Sequence, residues 1–243
     1  SNITFTKNNN KVTKLTDGLT EDIGNNRFIG EPGNARYYYE PRGIWQNDEA
    51  DEAADFGYLP GQVKFVDQNK DGNITDADDR VIVGSESPSF LMGVRNKFNY
   101  KNFDLSFFVY TRQGVKWRSS YLTGTFGDTG NNRYNHDATL DYWTSTNPST
   151  TYFGYRGAGP GNSRNSFSVV SANFVRVSDI TLGYTLPAST LSSLGLGYVR
   201  IYAQANNPFV FTNTPGFNPE YNGNVYTDEV SYASYIFGLN VSF

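Results

Sequence analysis

The sequence predicts an all-β fold of antiparallel strands, and three observations support this prediction. Aromatic residues make up 16% of the 243 residues, and the chain has 18 Tyr, 18 Phe and 24 Gly, a composition that favours strands and turns over helices. Six segments have the character of strands, most of them with apolar and polar side chains in alternation. The connections between these segments are long and short in turn along the chain.

The last segment has the clearest alternation. One face of a strand over residues 235–243 carries Tyr235, Phe237, Leu239, Val241 and Phe243. The other face is mostly small or polar. In a soluble protein an exposed row of this kind with an open strand edge promotes aggregation, whereas an outer-membrane β-barrel turns its apolar face to lipid and closes the edge on another strand. The segment therefore indicates an antiparallel transmembrane β-barrel; the alternative is a buried strand of a soluble β-sandwich.

The predicted strands cover residues 2–15, 90–100, 103–111, 174–186, 197–211 and 235–243. Each is near the roughly 9–11 residues that a tilted strand needs to cross a bilayer. In the fourth strand the apolar positions change face between Val177 and Ile180, which predicts a β-bulge near Ser178 and Asp179. Because the smallest barrels have about eight strands, we expect these six to be part of a larger barrel.

The connections 101–102 and 187–196 are short, whereas 16–89, 112–173 and 212–230 are long. Outer-membrane barrels alternate short periplasmic turns with long extracellular loops, and the loops of a sandwich usually stay short. We therefore expect residues 1–243 to be barrel throughout, with the three long segments outside the cell. The side chains expected to line the lumen include Arg95, Arg200, Tyr202 and Gln204.

Residues 67–78 match the twelve-residue calcium loop of EF-hands position by position. The predicted ligands are Asp67, Asn69 and Asp71 through their side chains, Asn73 through its backbone carbonyl, Thr75 directly or through water, and Asp78 at the last position. Six to eight oxygen ligands suit Ca²⁺, although the Asp at the last position is shorter than the usual Glu, so Mg²⁺ is an alternative. A second alternative is an acidic loop of Asx turns without a metal. The flanking segments 63–66 and 81–83 resemble strands, which indicates an ion that stabilises a loop.

Several classes of function find no support in the sequence. The chain has no Cys for thiolate chemistry, and its net charge of −4 with scattered Lys and Arg does not favour a nucleic-acid surface. Its one histidine, His136, has no second histidine for a zinc site or a triad, so we expect no enzyme. Trp45, Trp117 and Trp143, with 37–39 (Tyr-Tyr-Tyr), fit the stacking of sugar rings and a membrane interface equally well.

A series of motifs stands in order along the chain. They lie at 43–46 (GIWQ), 60–67 (PGQVKFVD), 79–84 (DRVIVG), 100–106 (YKNFDLS), 175–184 (VRVSDITLGY), 206–209 (NNPF), 219–220 (PE) and the terminal Phe243. Together with the calcium-type loop, the series resembles the C-terminal portion of SusC-like TonB-dependent outer-membrane transporters of Bacteroidetes.

This resemblance implies that the six strands are the last of a plugged 22-stranded barrel in the bacterial outer membrane, in contact with its lipid. It implies import energised through TonB, a SusD-like lipoprotein as a lid, and oligosaccharide or peptide substrates. The plug and the TonB-contacting segment would lie outside this chain. Because the calcium loop falls within a long connection, we expect it to stiffen the barrel mouth where the lid meets it. The rival interpretation is a secreted, calcium-stabilised β-sandwich that binds carbohydrate.

Overall fold

The computed structural model describes residues 1–119, 122, 140–154, 157–161, 163–193, 195–216, 218–220 and 232–243. The strands within these residues are β1 (Asn2–Thr6), β2 (Glu21–Asp22), β3 (Arg27–Phe28), β4 (Ala35–Tyr39), β5 (Pro41–Ile44), β6 (Val63–Phe65), β7 (Arg80–Ser85), β8 (Phe90–Tyr100), β9 (Phe103–Gln113), β10 (Lys116–Arg118), β11 (Val169–Ser171), β12 (Phe174–Thr185), β13 (Tyr198–Thr212) and β14 (Ser234–Ser242). The short helices are α1 (Ala50–Asp55), α2 (Ser163–Phe167) and α3 (Ala188–Ser192), with single 3₁₀ turns at Thr16–Gly18, Ile23–Asn25 and Asn47–Glu49. Among the described helices, none has the length and apolar character to cross a membrane.

Six of the strands form one antiparallel sheet in the order β1-β8-β9-β12-β13-β14, which confirms the number and the direction of the predicted strands. β8 and β9 have 11 residues each, β12 has 12 and β13 has 15. These lengths reach or exceed what a tilted strand needs to cross a bilayer, roughly 9–11 residues. Between β8 and β9 the chain turns in two residues, and Lys101 adopts a φ of 53° there.

The first predicted strand is too long. β1 ends at Thr6, which pairs with Leu91, whereas the prediction extended to residue 15. Further along, Asn10 is bound to the loops: its side chain accepts a hydrogen bond from the backbone N of Gly33 (3.1 Å) and donates one to Oγ of Ser87 (2.9 Å). The asparagine-rich segment therefore satisfies the loop backbone instead of extending the sheet, and the connection to β8 begins at residue 7.

The predicted β-bulge of the fourth strand is confirmed. The register of β12 against both β9 and β13 shifts between Val177 and Asp179. Before the shift Val177 pairs with Val109, and after it Ile180 pairs with Phe107. The extra residue returns the apolar side chains to the same face of the sheet, because one inserted residue reverses the alternation.

One face of the six-stranded sheet is apolar from strand to strand. A row across it consists of Phe98, Leu105, Leu182, Ala203 and Phe237, each paired with the next. Phe237 is 84% exposed and Leu182 is 50% exposed, so the described residues do not cover this face. A β-sandwich would pack a second sheet there, whereas the outer face of a barrel in a membrane is left for lipid.

The opposite face is polar, and glycines allow close contacts across it. A row here consists of Asp104, Gly183, Tyr202 and Gly238. Above Gly183, the Arg200 guanidinium bonds the Asp104 carboxylate at 2.9 and 2.6 Å. A Cβ added to Gly238 would lie 2.2 Å from Cζ of Tyr202, so the ring occupies the space that a side chain at 238 would need.

We expect Gly238→Val to lower the folded fraction of the protein severalfold. The new side chain would overlap the ring of Tyr202, and overpacking of this kind costs about 1–3 kcal/mol. The measurement is the heat-modifiable folded band on gel electrophoresis. Adding Tyr202→Ala should restore that band, whereas Ser242→Val on the same strand should leave it normal. A normal band for Gly238→Val would contradict the close contact.

The long connections all join the strands at the same end of the sheet. At this end Phe90 pairs with Gln113, and Phe174 pairs with both Arg112 and Thr212. The two short connections lie at the opposite end of the strands, where Tyr198 pairs with Ser242 and Tyr100 with Phe103. The alternation of connection lengths along the sequence thus becomes a separation in space.

The long connections have a hydrophobic core of their own. Two-stranded sheets form between β4 and β7, β5 and β6, and β10 and β11. The core buries Tyr39, Trp45, Val63, Phe65 and Phe153, among others. The segments predicted as strands on either side of the 67–78 loop are β6 and β7. The loop is therefore held between two strands that belong to separate small sheets.

Candidate functional site

The polar face of the sheet is the first candidate site. It carries the four residues predicted to line a lumen: Arg95, Arg200, Tyr202 and Gln204. Nη2 of Arg95 lies 3.5 Å from Oδ2 of Asp179, and the guanidinium is 4.8 Å from the centre of the Phe108 ring. Arg95 and Arg200 are thus each paired with a carboxylate on another strand. The face offers hydrogen bonds and aromatic contacts to a polar solute without a large excess of either charge.

Near the strand ends that carry the long connections, a buried arginine of β12 binds the motif 219–220 to the six-stranded sheet. Arg176 is 2% exposed; its Nη2 lies 2.9 Å from Oε2 of Glu220 and donates to Oδ1 of Asn218 at 3.1 Å. The hydroxyl of Tyr110 also donates to the Glu220 carboxylate. The sequence motif singled out Glu220, but only the structure reveals the arginine and the tyrosine that bind it.

The last strand places its predicted apolar side chains as expected from alternation. The side chains predicted to form the membrane-assembly strand are all exposed: Tyr235, Phe237, Leu239, Val241 and Phe243. β14 ends at Ser242, so Phe243 follows it directly. β14 pairs with β13 and has no other neighbour among the described strands. Its role in membrane assembly remains a prediction.

The loop over residues 67–78 is closed by its own hydrogen bonds. Asp67 accepts one from the backbone N of Lys70 at Oδ1 (2.7 Å) and one from the backbone N of Gly72 at Oδ2 (2.9 Å). Gly72 adopts a φ of 82°, a left-handed conformation that suits glycine at the predicted sharp turn. Asp71 accepts a hydrogen bond from the backbone N of Asn73 at 2.8 Å.

The remaining predicted ligands are bound in the same local manner. Asn69 donates from Nδ2 to Asp71 (2.9 Å), and Thr75 donates from Oγ1 to Asp78 (3.0 Å). The hydrogen bond from Asn69, followed by that from the Asn73 backbone, lowers the pKa of Asp71. Within the described residues, no three Asp, Glu, His or Cys side chains are grouped so that they could hold a metal ion. The observed contacts are those of Asx turns, and the metal ligands stay a prediction.

An acidic residue just beyond the twelve positions closes the loop. Asp79 is 0% exposed, and its carboxylate accepts hydrogen bonds from the backbone N of Gln68 (2.8 Å) and of Thr75 (2.7 Å). One side chain thus ties Gln68, near the start of the loop, and Thr75, in its second half, to the residue that precedes β7. The twelve-residue calcium-loop pattern ends at Asp78 and therefore did not predict a role for Asp79. Asp79 is the first residue of the motif at 79–84, and that motif was the sequence signal that could have indicated its importance.

A tyrosine connects the same loop to the core. The hydroxyl of Tyr39 donates to the carboxylate of Asp76, and its backbone N donates to Oγ of Ser166 at 3.1 Å. Burial, reinforced by the hydrogen bond to Asp76, raises the pKa of Tyr39 far above its ordinary value. The hydroxyl therefore remains a neutral donor at physiological pH.

The structure separates the tryptophans that the sequence could not distinguish. Trp45 and Trp117 are almost fully buried, so neither is available to a sugar or to a membrane interface. Trp143 is half-buried and, with Tyr142, lines a cavity of about 410 Å³ on the side of the long connections. His136 lies outside the described residues.

The sheet and its connections define a class of protein. The sheet is antiparallel, apolar on one face and polar on the other, and its long connections all lie at one end of the strands. This is the architecture of the wall of a transmembrane β-barrel. The prediction of fold class is thus consistent with the geometry of all six strands.

Comparison with known proteins identifies the family. No protein-family model matches the chain. TonB-dependent receptor P3 of Formosa agariphila is 33% identical over 233 residues, which cover 90% of this chain and 23% of that protein. TonB-dependent receptor SusC of Bacteroides thetaiotaomicron is 27% identical over 260 residues, which cover 100% and 24% respectively. The chain belongs to the SusC-like TonB-dependent receptors and spans about a quarter of the length of the curated relatives that it matches.

Solved structures agree on the fold. The RagAB peptide transporter matches with a TM-score of 0.70 and 24% identity, over 99% of this chain and 27% of that chain. The RagAB peptide importer in the open-open state matches with a TM-score of 0.68. At this identity the likeness concerns the fold alone. It confirms the predicted barrel fold, and the rival β-sandwich finds no support.

Proposed function

We propose that the receptor containing this chain imports nutrients across the bacterial outer membrane and is energised through TonB. The observation that carries the proposal is the two-faced sheet of six strands, whose apolar face suits lipid and whose paired polar face suits an aqueous lumen. The relatives are named as TonB-dependent receptors, and RagAB is named as a peptide transporter. In this role the chain forms wall and mouth and performs no catalysis.

We further propose that a SusD-like surface lipoprotein covers the end of the barrel where the long connections emerge. These connections have their own core, so they can present a stable surface to such a lid. The substrates would be oligosaccharides or peptides, because the polar face supplies guanidinium, carboxylate, amide and phenol groups for hydrogen bonds. TonB would act through a part of the receptor outside this chain.

Uptake by cells tests the import function. The full-length receptor should support growth on oligosaccharides or peptides as the sole source of carbon, and deletion of its TonB-contacting segment should abolish that growth at an unchanged receptor level. Growth that is independent of the segment would reject TonB-driven import. Extraction in mild detergent should also recover the receptor with a lipoprotein partner; a receptor that is always recovered alone would reject the lid.

We also propose that residues 67–78 bind Ca²⁺, with Mg²⁺ as the alternative ion. The support is the oxygen ligand at each required position and the left-handed Gly72 at the turn. A bound ion would draw Asp67, Asp71 and Asp78 together, which the hydrogen bonds of the Asx turns alone do not do. Its effect would be to stiffen a loop, since β6 and β7 flank it.

Removal of divalent ions is expected to speed proteolytic cleavage between residues 60 and 85 of the full-length receptor. The carboxylates would repel one another without a cation between them. Added Ca²⁺ should restore protection in the wild type but not in Asp71→Asn, while Asp55→Asn on α1 should behave as the wild type. Equal cleavage with and without chelator, measured by mass spectrometry, would reject the metal site.

A further inference from the structure

We propose that the cavity beside Trp143 binds one sugar ring of a neutral oligosaccharide. The described lining residues of the site all belong to the long connections. The inference rests on the proposed import function and adds to it a substrate subsite with a defined chemistry.

The Trp143 ring is held in a fixed orientation. Its backbone N donates to the carbonyl of Tyr152 at 2.9 Å, and its Nε1 donates to Oε1 of Gln46 at 3.1 Å. Gln46 is itself held, because its Nε2 donates to the carbonyls of Ile44 (2.8 Å) and Ser149 (3.2 Å). A side chain that is already ordered loses little conformational entropy when a ligand stacks on it.

Two glycines let the ring lie directly on the backbone. A Cβ added to Gly61 would be 2.3 Å from Cε3 of Trp143, and one added to Gly154 would be 3.0 Å from the same atom. The two glycines are joined by a hydrogen bond of 2.7 Å from the Gly154 N to the Gly61 carbonyl. The bare backbone therefore supports the ring at these two glycines, while the ring also lines the cavity.

The lining of the cavity matches the surface of a sugar. Its apolar lining comes from Pro60, Tyr142 and Trp143, and its polar lining from Asn47, Thr144 and Ser145. A sugar ring presents C–H groups on its faces and hydroxyl groups around its rim, so aromatic rings and short amide or hydroxyl side chains complement it. The volume of about 410 Å³ lies within the roughly 300–1,000 Å³ of ligand pockets.

The described lining of the cavity favours a neutral ligand over an ionic one. None of the described residues that line the cavity carries a charge. A charged ligand group enclosed there would lose hydration without an ion pair in return. Trp143 is also the one tryptophan of the three that lines this cavity, since Trp45 and Trp117 belong to the core. A neutral sugar fits the described lining better than a peptide with free termini does.

Binding to the full-length receptor in detergent tests the subsite. The probes are neutral glucan, mannan and xylan oligosaccharides, with peptides blocked at both ends as comparators, and the measurement is calorimetric affinity. We expect at least one oligosaccharide to bind, and Trp143→Leu to raise its Kd about tenfold or more. Thr144→Ala, which leaves the aromatic ring intact, should raise Kd severalfold. Tyr100→Ala, at the end of the sheet with the short connections, should leave Kd unchanged. A folded-band assay confirms that each variant is native.

Three results would overturn the proposal: an unchanged Kd in natively folded Trp143→Leu and Thr144→Ala, binding of the blocked peptides alone, or no binding by any oligosaccharide. Import is assessed separately in cells. Uptake that still requires TonB while affinity is insensitive to Trp143 would remove the subsite and leave import intact. Uptake that does not require TonB would remove the proposed import mechanism, whatever Trp143 does.

Discussion

Replacement of Ile180 by Arg is expected to prevent the receptor from accumulating in the outer membrane. Ile180 lies near the middle of β12, on the apolar face, between Phe107 and Ala205. An arginine on the lipid face costs about 2–4 kcal/mol at the bilayer midplane. That cost is large beside the total stability of a typical folded domain, about 5–15 kcal/mol. The measurement is the folded receptor in outer-membrane fractions, with degradation products followed in the periplasm.

The neighbouring residue supplies the control. Thr181 lies on the polar face, between Ser106 and Gln204, so Thr181→Arg adds the same charge to the same strand but directs it to the lumen. We expect near-normal accumulation for Thr181→Arg. Equal loss for the two variants would mean that the faces of the sheet have been assigned wrongly, because only the direction of the side chain distinguishes them.

Asp79→Ala is expected to release the loop 67–78 while the barrel wall stays folded. Removal of the carboxylate leaves the backbone N–H groups of Gln68 and Thr75 without their acceptor, and an unsatisfied buried polar group costs about 1–3 kcal/mol. The expected result is a new cleavage site within residues 66–80 under limited proteolysis, with a normal folded band. Asp79→Asn should have a smaller effect, since its one carbonyl oxygen can still accept one of the two bonds.

An exposed aspartate controls for loss of charge. Asp55 at the end of α1 is exposed, and Asp55→Ala should leave the cleavage pattern of the wild type. Protection of Asp79→Ala equal to the wild type would show that the loop closes without this side chain.

The wall of the receptor was predictable because its information is local. Alternation with period two assigns each residue of a strand to a face, and the length of the connections distinguishes the two ends of the strands. The bulge between Val177 and Asp179 was visible as a change of phase. The extent of β1 was not predictable, because the residues after Thr6 bind loops that are distant in sequence, as Asn10 binds Gly33 and Ser87.

The candidate sites depended on tertiary structure to a much greater degree. The spacing of Asp67 to Asp78 predicted a loop of that shape, yet the buried carboxylate that closes it, Asp79, lies outside the template. The three tryptophans were equivalent in sequence because burial depends on which segments pack over them. Only the fold shows that Trp45 and Trp117 are buried and that Trp143 lies on Gly61 and Gly154 beside a cavity.

The sequence by itself determined the class of fold, the two faces of the wall and the family, since all three rest on patterns of neighbouring residues. Tertiary structure alone decided the contacts between segments far apart in the chain. Arg176 meets Glu220, and Arg200 meets Asp104 above Gly183. The physical reason is that a hydrogen bond or an ion pair requires atoms within about 3–4 Å of each other, and no local pattern encodes which distant atoms satisfy that condition.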